Sequence, residues 1–120
     1  MSSETPLDWI GSAKNDLLAF PDPVIDAVGY ALGVAQLGGK HPHAKPWKGE
    51  GSGVFEVVED FSGDTFRAVY TVRFAEVIYV LHAFQKKSAK GIATATKDIA
   101  MIRARLKLAQ ADHQLRTQAK

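Results

Sequence analysis

The segment VLHAFQKKSAKG, residues 80–91, runs from apolar side chains into three lysines, Lys86, Lys87 and Lys90. Ammonium groups set that close together either gather an anion or solvate the end of a strand. The same segment holds His82, the residue type whose reference pKa lies nearest neutrality. Upstream, TFRAVYTVRF (65–74) carries Arg67 and Arg73, and GVFEVVEDF (53–61) carries Glu56. A guanidinium grips an oxyanion through parallel hydrogen bonds and keeps its charge at any working pH. A carboxylate beside it can take up a proton or simply neutralise it. A further basic stretch, KHPHAKPWK (40–48), adds Lys45 and Lys48 on either side of Trp47. His41 and His43 stand two apart with no acid between them, which is not the pattern of a metal-binding pair.

Charge along the chain is segregated although the net value is only +2. Residues 1–35 hold Glu4, Asp8, Asp16, Asp22 and Asp26 against Lys14 alone, and residues 50–64 hold acids and no base. From Lys86 to Lys107 the sequence has seven bases against Asp98. Such a division suits contact with a polyanion, and a solvated basic helix face accounts for it equally well.

These residues need a scaffold, and the bulk numbers allow one. The chain has 120 residues, 46% hydrophobic and 23% charged, the profile of one globular domain spanning 1–120. There is no cysteine, which excludes disulfides, thiol catalysis and cysteine-ligated zinc. Acids and Lys14 break up the first twenty residues, so no signal peptide is read there, and no apolar run reaches the ~20 residues of a membrane span. A cytoplasmic protein is expected.

The pattern of elements is α+β. PLDWIG (6–11) reads as a short strand and SAKNDLLAF as a short helix. A second helix follows, with Val24, Ala27, Val28, Ala31, Leu32 and Ala35 on one face, proline at its entry and Gly38–Gly39 at its exit. HPHAKPWKGEGSG is loop or edge material. Strands are expected at 53–61, 65–74 and 76–84, joined by a turn at Ser62–Asp64 and a weaker one near Ala75–Glu76. A terminal helix starting at Thr94 or Thr96 carries Ile99, Ile102, Leu106 and Ala109 as its apolar stripe.

Side chains alternate between the faces of a strand, so parity sorts this meander. Pairing Phe61 with Phe66 and Phe74 with Val77 puts Phe55, Val57, Phe66, Ala68, Tyr70, Tyr79 and Leu81 on a face for helices to cover. The opposite face receives Glu56, Asp60, Arg67, Val69, Arg73, Ile78, Val80, His82 and Phe84. On that register Arg67 lies opposite Phe84, and Lys86 and Lys87 leave the sheet at the arginine's end. A one-residue slip, most readily at the weak second turn, would scramble the assignment.

With these residues in place, AKPWKGEGSGVFEV, FRAVY, YVLHAFQKKSAK and the helical KDIAMIRARL together resemble the phage-derived, HigB-like toxins of the RelE toxin–antitoxin superfamily. The resemblance spans roughly residues 6–108, and the LHAFQKKS block placed after the arginine strand is its most discriminating part. It implies two N-terminal helices packed on a twisted, mostly antiparallel sheet, with a C-terminal helix. It also implies ribosome-dependent mRNA cleavage without metal or cofactor, and a cognate antitoxin, commonly a helix-turn-helix protein, in a hetero-oligomer.

Carried over residue by residue, Arg67 matches the sheet arginine at the scissile phosphate, and Lys86 and Lys87 fall where relatives place a base after the last strand. Glu56 and His82 are the acid–base candidates, and Arg73, Lys45, Lys48 and Lys90 the RNA-binding ones, with Trp47 able to stack on a base. Two features depart from the pattern. RelE-like enzymes carry lysines where this chain has Glu56 and Glu59, and no tyrosine follows Tyr79. Each residue also has a structural reading: Arg67 paired with Asp60, Glu56 neutralising Arg73, His82 packed in a core, Trp47 covering a sheet edge. A non-catalytic nucleic-acid or ribosome binder on the same fold, or a structural phage protein, are the alternative functions.

Overall fold

The computed structural model describes residues 4–86 and 96–118. Within these residues, five strands and three helices follow in the order β1 (Leu7–Trp9), α1 (Ala13–Leu18), α2 (Asp22–Gln36), β2 (Ala44–Pro46), β3 (Val54–Phe61), β4 (Asp64–Thr71), β5 (Ile78–Lys86) and α3 (Thr96–Gln118). The sheet order is β1-β5-β4-β3-β2, with β1 parallel to β5 and every other pair antiparallel. This is the expected α+β architecture of a mostly antiparallel sheet with two helices before it and one after.

Local chemistry explains the element ends. α2 opens on Pro21 with Pro23 in its first turn, where the missing N–H costs nothing. It closes in a Schellman motif: Gly38 takes the left-handed conformation (φ +89°), its N–H donates to Ala35, and the N–H of Gly39 donates to Val34 at 3.0 Å. Between β3 and β4, Ser62 (φ +52°) and Gly63 (φ +84°) form a two-residue turn of the kind that matches strand twist. That turn is tighter than expected and pairs Phe61 with Asp64 rather than Phe66. The offset is two residues, an even number, so every β3 side chain keeps its face.

The β4–β5 pair begins as expected, with Arg67 opposite Phe84 and Val69 opposite His82. A bulge at Val69/Tyr70 then shifts the register, so that Tyr70 meets Val80 and Thr71 meets Tyr79. The shift reverses the parity of residues 78–81. Ile78 and Val80 join the face under α1 and α2, whereas Tyr79 and Leu81 join the other.

Both faces are therefore covered, but unequally. The first face packs Val57, Phe66, Ala68, Tyr70, Ile78 and Val80 against Leu17, Val24, Val28 and Leu32. On the second, α3 lays Ile102, Leu106 and Ala109 over Val69, Tyr79 and Leu81. Burial of each such side chain contributes about 1.5–3 kcal/mol. α3 is also tied by polar contacts: Tyr79 donates to Asp112 at 2.6 Å, and Arg116 binds Asp112 at 2.7 Å and Asp8 of β1. No described helix is long and apolar enough to cross a membrane.

A candidate RNA-binding pocket

β3, β4 and β5 leave part of the second face beyond the reach of α3. There the pleat points Glu56, Arg67 and the end of β5 to the same side. The edge strand β2 pairs Lys45 with Glu56, and so adds a lysine to that side. The result is an open pocket of about 620 Å³. Among the described residues, four cations line it, Lys45, Lys48, Arg67 and Lys86, against the single carboxylate of Glu56. Pro46, Trp47 and Ile99 form its apolar wall.

At the centre, Arg67 Nη1 donates to Glu56 Oε1 at 2.6 Å, with the two side chains only 17% and 14% exposed. The Nε–H of Arg67 is buried and has no acceptor among the described residues. An unsatisfied donor of this kind costs about 1–3 kcal/mol, and an oxyanion that reached it would remove the cost. Asp60 is not the partner of Arg67: it accepts the hydroxyl of Thr65 at 2.8 Å. Nor does Glu56 neutralise Arg73, because Arg73 donates to the backbone carbonyls of Glu50 and Ser52 and fastens the loop before β3. Arg73 does not line the pocket.

His82 lies outside the lining as well. The residue is 93% buried, and its ring stacks on Phe84 at 4.8 Å between centroids and hydrogen-bonds Asp98 of α3 through Nε2 at 2.8 Å. The residue is placed on the face that parity gave it, in a packed and partnered position. Trp47 is buried in the core cluster under α3 and also contributes to the pocket wall. Lys87 and Lys90 lie outside the described residues.

Other residues of the C-terminal basic run are engaged elsewhere. Arg105 is buried, donating to the carbonyl of Leu81 and the hydroxyl of Ser12 at 3.0 Å each. Arg103 pairs with Glu50 at 3.0 Å. Charge counting alone could not separate these two from lysines that face water; the position of Arg105, three residues after Ile102 and beside Leu106 on the buried face, was the signal that it points inward. Of the two loop histidines, His43 binds Glu59 through Nδ1 at 2.6 Å, and His41 Nδ1 accepts the His43 N–H. A second hollow of about 400 Å³ beside Phe55, Tyr70 and Ile78 has, among the described residues, Lys40 as its one charged lining residue and no convergence of polar groups.

Residues 15–107 match the family described as phage-derived protein Gp49-like, a span that contains every residue lining the pocket. The chain belongs to the Gp49-like family. Its fold is also that of Escherichia coli toxin RelE: a free-state structure of an arginine-substituted RelE mutant superposes with a TM-score of 0.54 at 17% identity, covering 80% of this chain and 98% of that one. The toxin–antitoxin complex RelBE2 from Mycobacterium tuberculosis matches at 20% identity over 67% of this chain and 95% of that chain, with a TM-score of 0.46. No curated protein sequence matches. The Gp49-like chain thus has the RelE-like fold expected of it.

Proposed function

We propose that this Gp49-like protein is the toxin of a toxin–antitoxin pair and cleaves mRNA on the ribosome. The observation that supports the reading most strongly is the convergence of Arg67, Lys86, Lys45 and Lys48 on one pocket with Glu56 at its centre. In the proposed reaction the 2′-oxygen attacks the adjacent phosphorus and the bond from phosphorus to the 5′-oxygen breaks. The products are a 2′,3′-cyclic phosphate and a 5′-hydroxyl. Glu56, the carboxylate of the pocket lining, takes the 2′-hydroxyl proton, and the ammonium of Lys86 supplies one to the leaving oxygen. Arg67 stabilises the charge that builds on the phosphoryl oxygens, usually the largest contribution in such chemistry.

Before RNA arrives, Glu56 holds the guanidinium of Arg67 in the pocket; with phosphate present the same carboxylate is released to act as base. Pro46, Trp47 and Ile99 offer an apolar wall for a neighbouring base. The partner is an antitoxin protein, in keeping with the antitoxin bound to the M. tuberculosis relative. A non-catalytic RNA binder on the same fold is separated by mapping mRNA 5′ ends after induction of the chain. New ends within translated codons are expected with the wild-type chain and absent with Arg67→Ala or Glu56→Gln. Growth arrest without new ends would leave the binder.

A further inference from the structure

α3 buries one apolar side and leaves a second in water. Ile102, Leu106 and Ala109 face the sheet. Met101, Leu108 and Leu115 stand seven residues apart and are 40%, 58% and 67% exposed. Exposed Ala104 and Ala111 alternate with them in steps of three and four. At 3.6 residues per turn, positions seven apart drift by only about 20°, so the five form one seam, roughly 150° around the helix from the buried line. Single exposed leucines are commonplace, but a seam at seven-residue spacing is the pattern by which one helix receives another.

The charges beside the seam select the occupant. Lys97 falls in the seam itself, seven residues before Ala104, and Lys107 borders Leu108. The acids of the helix are turned to other work: Asp98 to His82, and Asp112 to Tyr79 and Arg116. A second copy of this chain fits poorly. Parallel pairing would set Lys97 against Lys97, and antiparallel pairing centred on Leu108 would set the two Lys107 side chains together. An acidic helix gains at both places.

We infer that the outer face of α3 docks an amphipathic helix of a partner protein, with apolar residues at seven-residue spacing and carboxylates flanking them. The inference rests on the partner half of the proposed function and not on the RNA half, since Met101, Leu108 and Leu115 do not line the cationic pocket.

The test titrates the full-length chain with two synthetic helical peptides of about three heptads, leucine at the core positions and either glutamate or lysine at every flank. Like charges keep each peptide from pairing with itself. The glutamate peptide should bind one to one, weaken with added salt, and lose at least tenfold in affinity against Leu108→Ser/Leu115→Ser. Both leucines are exposed, so the folded state of that variant is checked by its melting curve. Lys97→Glu/Lys107→Glu keeps the seam apolar and should exchange the preference to the lysine peptide. Failure of the glutamate peptide to bind, equal binding by both peptides, or unchanged preference in the charge-reversed variant would overturn the inference. So would sedimentation of the chain as a dimer that Leu108→Ser dissolves, because a second copy would then own the face.

Discussion

Arg67 stands between a carboxylate and an open pocket, and its neighbours decide how much of its charge a ligand can use. Glu56 satisfies one end of the guanidinium, while the buried Nε–H is left over. In the proposed RNA contact, Lys86, Lys45 and Lys48 add unspecific attraction, each a compact charge without the arginine's fixed fork. Their contributions should differ in kind. Lys86→Ala is expected to weaken binding of single-stranded RNA about equally for all sequences and to lower the slope of log affinity against log salt by about 0.7, one phosphate contact's worth. Filter binding across a salt series measures this, and an unchanged slope would place Lys86 outside the RNA contact.

Among the elements, the glycines give the sharpest contrast. Gly11 sits at φ +58°, and a Cβ there would come within 3.0 Å of the Arg105 guanidinium. Gly11→Ala should therefore destabilise by about 1–3 kcal/mol. Gly29 lies inside α2 with nothing within 4 Å of its would-be Cβ, so Gly29→Ala should stabilise by about 0.5–1 kcal/mol. Urea midpoints read both, and equal signs would contradict the packing described.

The same elements show what periodicity could and could not deliver. Alternation alone brought Glu56, Arg67 and the end of β5 to one face, because the two-residue error at the Ser62–Gly63 turn was even and changed no side-chain direction. It misassigned Ile78, Val80, Tyr79 and Leu81, because the bulge at Val69/Tyr70 leaves no residue signature where large, mostly apolar side chains point to both faces. The pairing of Glu56 with Arg67 rather than Arg73 was hidden for another reason: nothing in the sequence tells that Arg73 is occupied by backbone carbonyls. α3 was read from its inner stripe, and its second apolar seam passed as part of a basic helix.

Across the whole molecule, α3 is held on the sheet at both ends, by His82 and Asp98 near its start and by Tyr79, Asp112 and Arg116 near its finish. Burial and the Asp112 carboxylate push the Tyr79 phenol well above its usual value of 10.0. A phenol that holds its proton more tightly when folded stabilises fully below pH 10 and loses that contribution as pH climbs beyond it. Thermal melts should therefore fall above pH 10, and Tyr79→Phe should be less stable at neutral pH but show a shallower alkaline decline. A decline of the same steepness in both proteins would separate it from Tyr79. The pocket depends on this clamp indirectly, since Ile99 of α3 forms part of its wall. The most direct measurement of the proposed chemistry is the rate at which purified chain cuts ribosome-bound mRNA, compared between wild type and an Arg67→Ala variant shown to melt like it. A fall of about a hundredfold or more is expected when the guanidinium is removed; an unchanged rate in the folded variant would contradict a cleavage site built on Arg67.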